Sequence, residues 1–249
     1  MSIKLKSEKE IATMREAGRI VAEVLQVLKN SVQPGMKTRE LDVIAARELK
    51  RLGAKPSFKG YYGYPASLCV SVNDEIVHGI PGDKIIKNGD IVSMDVGSIY
   101  EGFQGDGAIT VGVGEISQKA MELMQVTEGS LAAGISAARD GARLGDIGAV
   151  IQEYVESRGF TVVREYTGHG IGRQMHEDPL IPNFGTPGTG IELKKGMTLA
   201  IEPMVNIGDW RTRPGKDGWV VYTADGSLSA HFEHTVAITD GEPEVLTVL

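Results

Sequence analysis

The chain has 249 residues, enough for one large domain or two small halves sharing a full core. Lysine and arginine total 26 against 33 aspartates and glutamates, a formal net charge of −7, which argues against a dedicated nucleic-acid binder. The single cysteine, Cys69, excludes an internal disulfide framework and a cysteine-rich zinc site, and no apolar run approaches the ~18 residues of a membrane span. The first ten residues lack the apolar stretch of a signal peptide, so a cytoplasmic protein without membrane attachment is expected.

Ser7 and Glu10 form a capping-box pattern. The helix it opens carries Ile11, Met14, Gly18, Val21, Leu25 and Leu28 at helical spacing and closes at Pro34-Gly35. A second helix is predicted from Thr38 to Leu52, with Leu41, Ile44, Ala45, Leu49 and Leu52 inward and Gly53 as its stop. An aromatic, turn-rich stretch from Phe58 to Pro65 follows, then a predicted hairpin from Leu68 to Val77 turning at Asn73-Asp74, then His78-Gly79-Ile80-Pro81-Gly82. Strands are predicted across Lys87 to Thr110. Ser117 opens a third helix to Ala138, expected to break near Gly129 or Gly134. A fourth runs from Leu144 to Arg158, with Ile147, Val150, Ile151, Tyr154 and Val155 on one face. The last ninety residues read as strands and loops, with turn clusters at Thr186 to Gly190 and Arg213 to Gly218.

The Lys87–Thr110 stretch holds two carboxylates, Asp95 and Asp106, where a strand disfavours them. A tight turn at Tyr100-Glu101 places them directly opposite on one face of the ribbon, and a turn at Glu101-Gly102 places them diagonally. Anions that close need positive charge between them, which a pair of divalent cations supplies; the alternative is a solvated hairpin with two exposed aspartates. Glu202 and Glu233 likewise sit in apolar strand-like surroundings, His169 lies among glycines, and His176 precedes Glu177-Asp178-Pro179. Cys69, Trp219 and the Tyr61, Tyr62, Tyr64 cluster read most simply as packing residues. No G-x-S-x-G, Walker-type loop or H-E-x-x-H is present.

An internal repeat accompanies these residues. Gly35, Leu41, Ile44 and Gly53 recur as Gly141, Ile147, Val150 and Gly159, each 106 positions later. A shift of 107 carries the segment ending in Asp95 onto the one ending in Glu202. This implies two similar α+β halves, roughly 1–115 and 116–249, whose acidic strands meet at a cleft within one catalytic domain.

The order Asp95, Asp106, His169, Glu202, Glu233, with the H-G-I-P, G-H-G-I-G, I-E-P-M and F-E-H-T segments, resembles the methionine aminopeptidases of type I in their short bacterial form. The resemblance covers nearly the whole chain and implies the α+β pita-bread fold. It implies that Asp95 chelates one metal ion, that His169 and Glu202 chelate another, and that Asp106 and Glu233 bridge both. A water activated by both metals then attacks the first peptide bond, Glu202 shuttles the proton, His176 contacts the carbonyl oxygen and His78 the scissile amide. Phe58, Tyr61, Tyr64, Cys69 and Trp219 match positions that line the methionine pocket, with Met175 beside them. Two positions depart from the family's common pattern: Met175 replaces an aromatic residue, and His231 replaces glutamine. The oxygen-rich donor set favours Co, Mn or Fe, with Zn as a further option. The implied partner is the N-terminal methionine of nascent polypeptides ahead of a small second residue, with a transient ribosome contact and a monomeric enzyme. Relatives of this fold that cleave X-Pro bonds, and inactive peptide-binding relatives, are the alternatives.

Overall fold

The computed structural model describes residues 3–249. It contains four α-helices, α1 (Glu8–Ser31), α2 (Thr38–Arg51), α3 (Gln118–Ala137) and α4 (Leu144–Glu156), and a nine-stranded antiparallel sheet. Ser7 caps α1 through the capping box expected from sequence, accepting from the Glu10 N–H while the Glu10 carboxylate accepts from the Ser7 N–H.

The sheet runs across the internal repeat. Ile91–Tyr100 pairs with Phe103–Gly112, which pairs with Glu233–Ala237, then Thr198–Ile201, then Gly168–Gly170. Side chains alternate across a pleated strand. Even-numbered Val92, Met94 and Val96 therefore face α1 and α2, and Leu199, Ile201 and Val236 face α3 and α4, each set fully buried in its own core cluster. The opposite face carries the odd positions of Ile91–Tyr100 and the even positions of Phe103–Gly112. On the helix face, close approach of α1 depends on two glycines at odd positions of Phe103–Gly112: a Cβ on Gly105 would lie 2.8 Å from the Ala17 carbonyl carbon, and one on Gly107 would lie 3.0 Å from Val21 Cγ1.

Two local features recur at the spacing of the sequence repeat. The Lys37–Ile85 bridge beside the start of α2 recurs as the Arg143–Glu192 bridge beside the start of α4. Glu40 accepts from the Lys37 N–H at one helix start, and Asp146 accepts from the Arg143 N–H at the other.

Three expectations need correction. The Leu68–Val77 segment turns at Asn73-Asp74, but its strands do not pair with each other. Cys69–Val72 pairs with Ile91–Tyr100, Glu75–Val77 pairs with Val221–Thr223, and the Glu75 carboxylate takes up the Val72 N–H at 2.8 Å. Helix α3 is unbroken, since Gly129 and Gly134 serve close packing: added Cβ atoms would meet Tyr154 Oη at 2.3 Å and Ile151 Cδ1 at 2.7 Å. On α4, Ile147, Ile151 and Val155 are buried, whereas Val150 is 39% exposed.

Candidate active site

The turn between the two long strands falls at Glu101-Gly102, both with positive φ, which fixes the diagonal register. Asp95 stands opposite Ala108, and Asp106 opposite Gly97. Glu233 also stands opposite Ala108, from the other side. Asp95, Ala108 and Glu233 thus form one row across three strands, with Asp106 one diagonal step away. His169 faces Ala200, two residues before Glu202, and Ala200 faces Thr235, two residues after Glu233. With a period of two, the register puts Asp95, Asp106, His169 and Glu233 on the same sheet face, from four strands, and Glu202 follows directly after the end of a fifth, Thr198–Ile201. Ala108 at the centre is small enough to leave room between them.

The side chains converge. His169 Nε2 lies 3.6 Å from Glu202 Oε1 and 3.8 Å from Asp106 Oδ2. Donor atoms of Asp106, His169 and Glu233 fall within 4.8 Å of one another, as do those of Glu202, His231 and Glu233. His169 Nδ1 is 2.9 Å from the Gly170 carbonyl, to which it donates, so the Nε2 lone pair turns toward the carboxylates. The flanking glycines permit this. A Cβ on Gly168 would come 2.4 Å from the Ala200 carbonyl oxygen, and one on Gly170 2.2 Å from that of Asp178.

Burial pushes all four carboxyls up, Asp95 to about 7 and Glu202 to about 8, and repulsion from neighbouring carboxylates adds to burial at Asp95, Asp106 and Glu233. Burial pulls His169 down to about 3, which keeps its ring neutral. Asp95 Oδ1 and Glu233 Oε1 are buried without any hydrogen-bond partner. Unpartnered buried carboxylate oxygens beside a neutral imidazole nitrogen are costly alone and are the donor set of a divalent cation. The residues fit a metal ion.

The comparisons with known proteins agree. Residues 12–240 match the model of metallopeptidase family M24. The chain is 55% identical to a methionine aminopeptidase of Clostridium perfringens over 98% of both chains, and 52% identical to methionine aminopeptidase 1 of Bacillus subtilis over 97% and 98%. This chain belongs to metallopeptidase family M24. Its fold superimposes on the crystal structure of a Thermotoga maritima methionine aminopeptidase with a TM-score of 0.98 at 50% identity, each chain covered in full. The prolidase of Pyrococcus furiosus shares the fold at a TM-score of 0.80 and 23% identity, over 98% of this chain and 65% of that one. The pita-bread fold of the M24 peptidases is therefore the architecture here.

Above the carboxylates lies a cavity of about 200 Å³. Phe58, Tyr61, Tyr64, Cys69, Trp219, His78 and His176 line it together with Asp95, Asp106, His169, Glu202 and Glu233. Tyr64 is fixed at its centre, edge-on to Trp219 (5.0 Å between ring centroids) and to Phe58 (6.5 Å), its hydroxyl donating to the Gly79 carbonyl at 2.9 Å. Burial first, then Asp95, pushes the Cys69 thiol far up, so it is a wall residue and not a nucleophile. His78 holds a left-handed backbone conformation (φ 61°), and burial lowers it to about 4. Met175 does not line the cavity as expected. It is 3% exposed and packs behind the wall, where a Cβ on Gly97 would meet its methyl at 2.7 Å.

Sequence reasoning passed over three contributors. Tyr62 lines the cavity and is 85% exposed at its mouth, and only its place in an aromatic cluster hinted at it. Thr235 donates to the Asp106 carbonyl at 2.8 Å and accepts from the Asp106 N–H at 3.0 Å, tying Glu233's strand to Asp106. His231 was noted only as a departure from the family pattern.

Proposed function

We propose that this M24 peptidase is a methionine aminopeptidase that removes the initiator methionine from nascent proteins when the second residue is small. The observation that carries the reading is the cluster of five donors on one face of the sheet, set directly beneath an aromatic cavity of about 200 Å³. That volume suits one unbranched apolar side chain, and the thioether of methionine makes favourable contacts with aromatic ring edges. On this reading Asp95, Asp106, His169, Glu202 and Glu233 hold two divalent cations, of Co, Mn or Fe with Zn as a further option. Four ionised carboxylates balance them.

Bound there, such cations supply Lewis acidity that polarises the peptide carbonyl and acidifies water near neutral pH. The protein's own groups do the rest. Glu202 accepts the proton of the attacking water and passes it to the leaving amine. Tyr61 Oη sits 2.8 Å from His176 Nδ1, and burial raises the phenol, which keeps its proton; on this reading Tyr61 donates that proton to Nδ1. His176 therefore carries its hydrogen on Nε2, which donates to the carbonyl oxygen as charge develops there. His78 contacts the substrate backbone at the scissile bond. The enzyme works as a monomer in the cytoplasm, meeting chains as they leave the ribosome.

The test is hydrolysis of Met-Ala-Ser, Leu-Ala-Ser and an X-Pro peptide after chelation, with and without Mn²⁺ or Co²⁺. Metal-dependent release of methionine, with the other two nearly inert, is expected; preferential cleavage of the X-Pro peptide would move the chain to the prolidase branch of the fold. Tyr61→Phe is expected to lower kcat about fivefold with KM little changed, the worth of one neutral hydrogen bond of about 1 kcal/mol. The ¹⁵N shifts of His176 should report a mixed tautomer in that variant, and unchanged shifts with unchanged kcat would refute the pairing.

A further inference from the structure

His231 closes the Ser229–His231 strand two residues before Glu233 and pairs with Met204, two residues after Glu202. It is 1% exposed, and its Nε2 is buried with no hydrogen-bond partner. That nitrogen faces Glu202 Oε2 at 3.4 Å, while the other oxygen, Oε1, faces His169 Nε2 at 3.6 Å. Glu202 is thus flanked by two imidazoles, one on each oxygen.

The backbone of His231 is held on both sides by one hydroxyl. Thr110 Oγ1 accepts from the His231 N–H at 2.9 Å and donates to the His231 carbonyl at 2.8 Å. With that proton spent, the 2.8 Å contact between Ser93 Oγ and Thr110 Oγ1 requires Ser93 to donate. A chain of two hydroxyls from the long hairpin thereby fixes the residue whose ring points at Glu202.

We infer that His231 is a positioning residue for Glu202: its Nε2–H anchors Oε2, leaving Oε1 to the metal ion shared with His169. With a metal ion on its other oxygen Glu202 is ionised, and an imidazole lone pair set against that carboxylate would repel it, so in the metal-loaded protein the nitrogen that faces Glu202 carries the hydrogen. The separation of 3.4 Å lies just beyond the usual N–H···O range of about 2.7–3.2 Å, and a small rotation of the carboxylate closes it. A carboxylate that both ligates a metal and carries a proton gains from an anchor on its second oxygen, because the anchor decides which oxygen does which task. The inference rests on the reading of Glu202 as ligand and proton carrier.

The test compares His231→Gln, whose amide nitrogen reaches the place of Nε2, with His231→Asn, whose amide ends short of it. Co²⁺ binding to the metal-free full-length protein is measured by calorimetry, the Co²⁺ absorption bands are recorded, and kcat and KM are determined with Met-Ala-Ser. His231→Gln is expected to keep the parent's bands and stoichiometry, with kcat within about threefold. His231→Asn is expected to bind Co²⁺ about 10–100-fold more weakly, shift the bands and lose kcat with KM unchanged. Parent-like affinity, bands and kcat in His231→Asn would overturn the inference. So would loss of a Co²⁺ equivalent in His231→Gln, which would make the ring nitrogen itself a ligand. A parent that binds Co²⁺ but releases no methionine would defeat the proposed activity, while affinity and bands would still decide the role of His231. A parent that binds no Co²⁺ overturns both.

Discussion

Metal-free protein is expected to melt at a lower temperature as pH rises from 7.5 to 8.5, and saturating Mn²⁺ or Co²⁺ is expected to abolish that trend. Unfolded aspartate and glutamate titrate near ~4, so they are ionised throughout this window. In the folded, metal-free protein Asp95 stands at about 7 and Glu202 at about 8, with Asp106 and Glu233 also raised by burial and by neighbouring carboxylates. The folded state therefore binds more protons than the unfolded state, and stability falls as pH climbs through the folded values. Histidines oppose the effect only lower down. Burial lowers His78, His169, His176, His231 and His234, so near pH ~6.5, where unfolded histidine is half protonated, stability gains as pH rises, and that gain is nearly complete by pH ~7.5. Above that pH the carboxyl cluster dominates. The fall across the window is expected to be on the order of 1 kcal/mol, or about 2–4 °C in melting temperature for a chain of this size. Bound cations take the place of the protons, so metal should stabilise most at pH 8.5, and binding should release protons. Calorimetric scans of chelated and reloaded protein at three pH values decide it. A melting temperature that rises with pH in the chelated sample, or one that ignores added metal, would mean that these carboxyls do not form a cation site.

Much of this centre is legible in the sequence because it is written in a period of two. The pair Glu101-Gly102 can adopt positive φ at both turn positions, which selects the diagonal register between the alternatives and puts Asp95 and Asp106 on the same face. The 107-position repeat places Glu202 on the counterpart of the strand that carries Asp95. What was not legible is partner choice. Leu68–Val77 looks like a hairpin by every local signal, yet its strands enter different sheets, because cross-strand partners are set by the whole topology. A glycine inside a helix reads equally as a break or as a contact point, and only α4 lying against Gly129 and Gly134 decides for contact. Met175 stands next to His176 in sequence but is buried behind the wall against Gly97, because residues 172–176 form bends whose side-chain directions are set by tertiary packing. Thr110 and Thr235 carry no chemical signature of their own. Their importance arises from the short ladder between Phe103–Gly112 and Glu233–Ala237, which their hydroxyls reinforce.

Glu202→Gln should separate the two tasks assigned to that side chain. The substitution keeps shape and removes both the charge and the proton acceptor. Loss of general-base function alone is expected to lower kcat by about 10²–10⁴-fold with KM close to the parent's. His176→Ala should fall by about 10²–10³-fold, as for removal of one donor to a developing oxyanion, and should leave metal content untouched. Metal content is where the two variants should part. On the proposed function the Glu202 oxygen beside His169 ligates a cation, so glutamine there would present a neutral oxygen or an N–H that repels it, and affinity at that position should drop. If Glu202→Gln retains full metal occupancy and still loses kcat, proton transfer is its dominant contribution. If excess metal restores kcat, ligation is. Turnover near that of the parent at ordinary metal concentration would remove Glu202 from both roles. The buried, unpartnered oxygens of Asp95 and Glu233 would then mark the metal site, and the base would have to be sought elsewhere along the cavity wall.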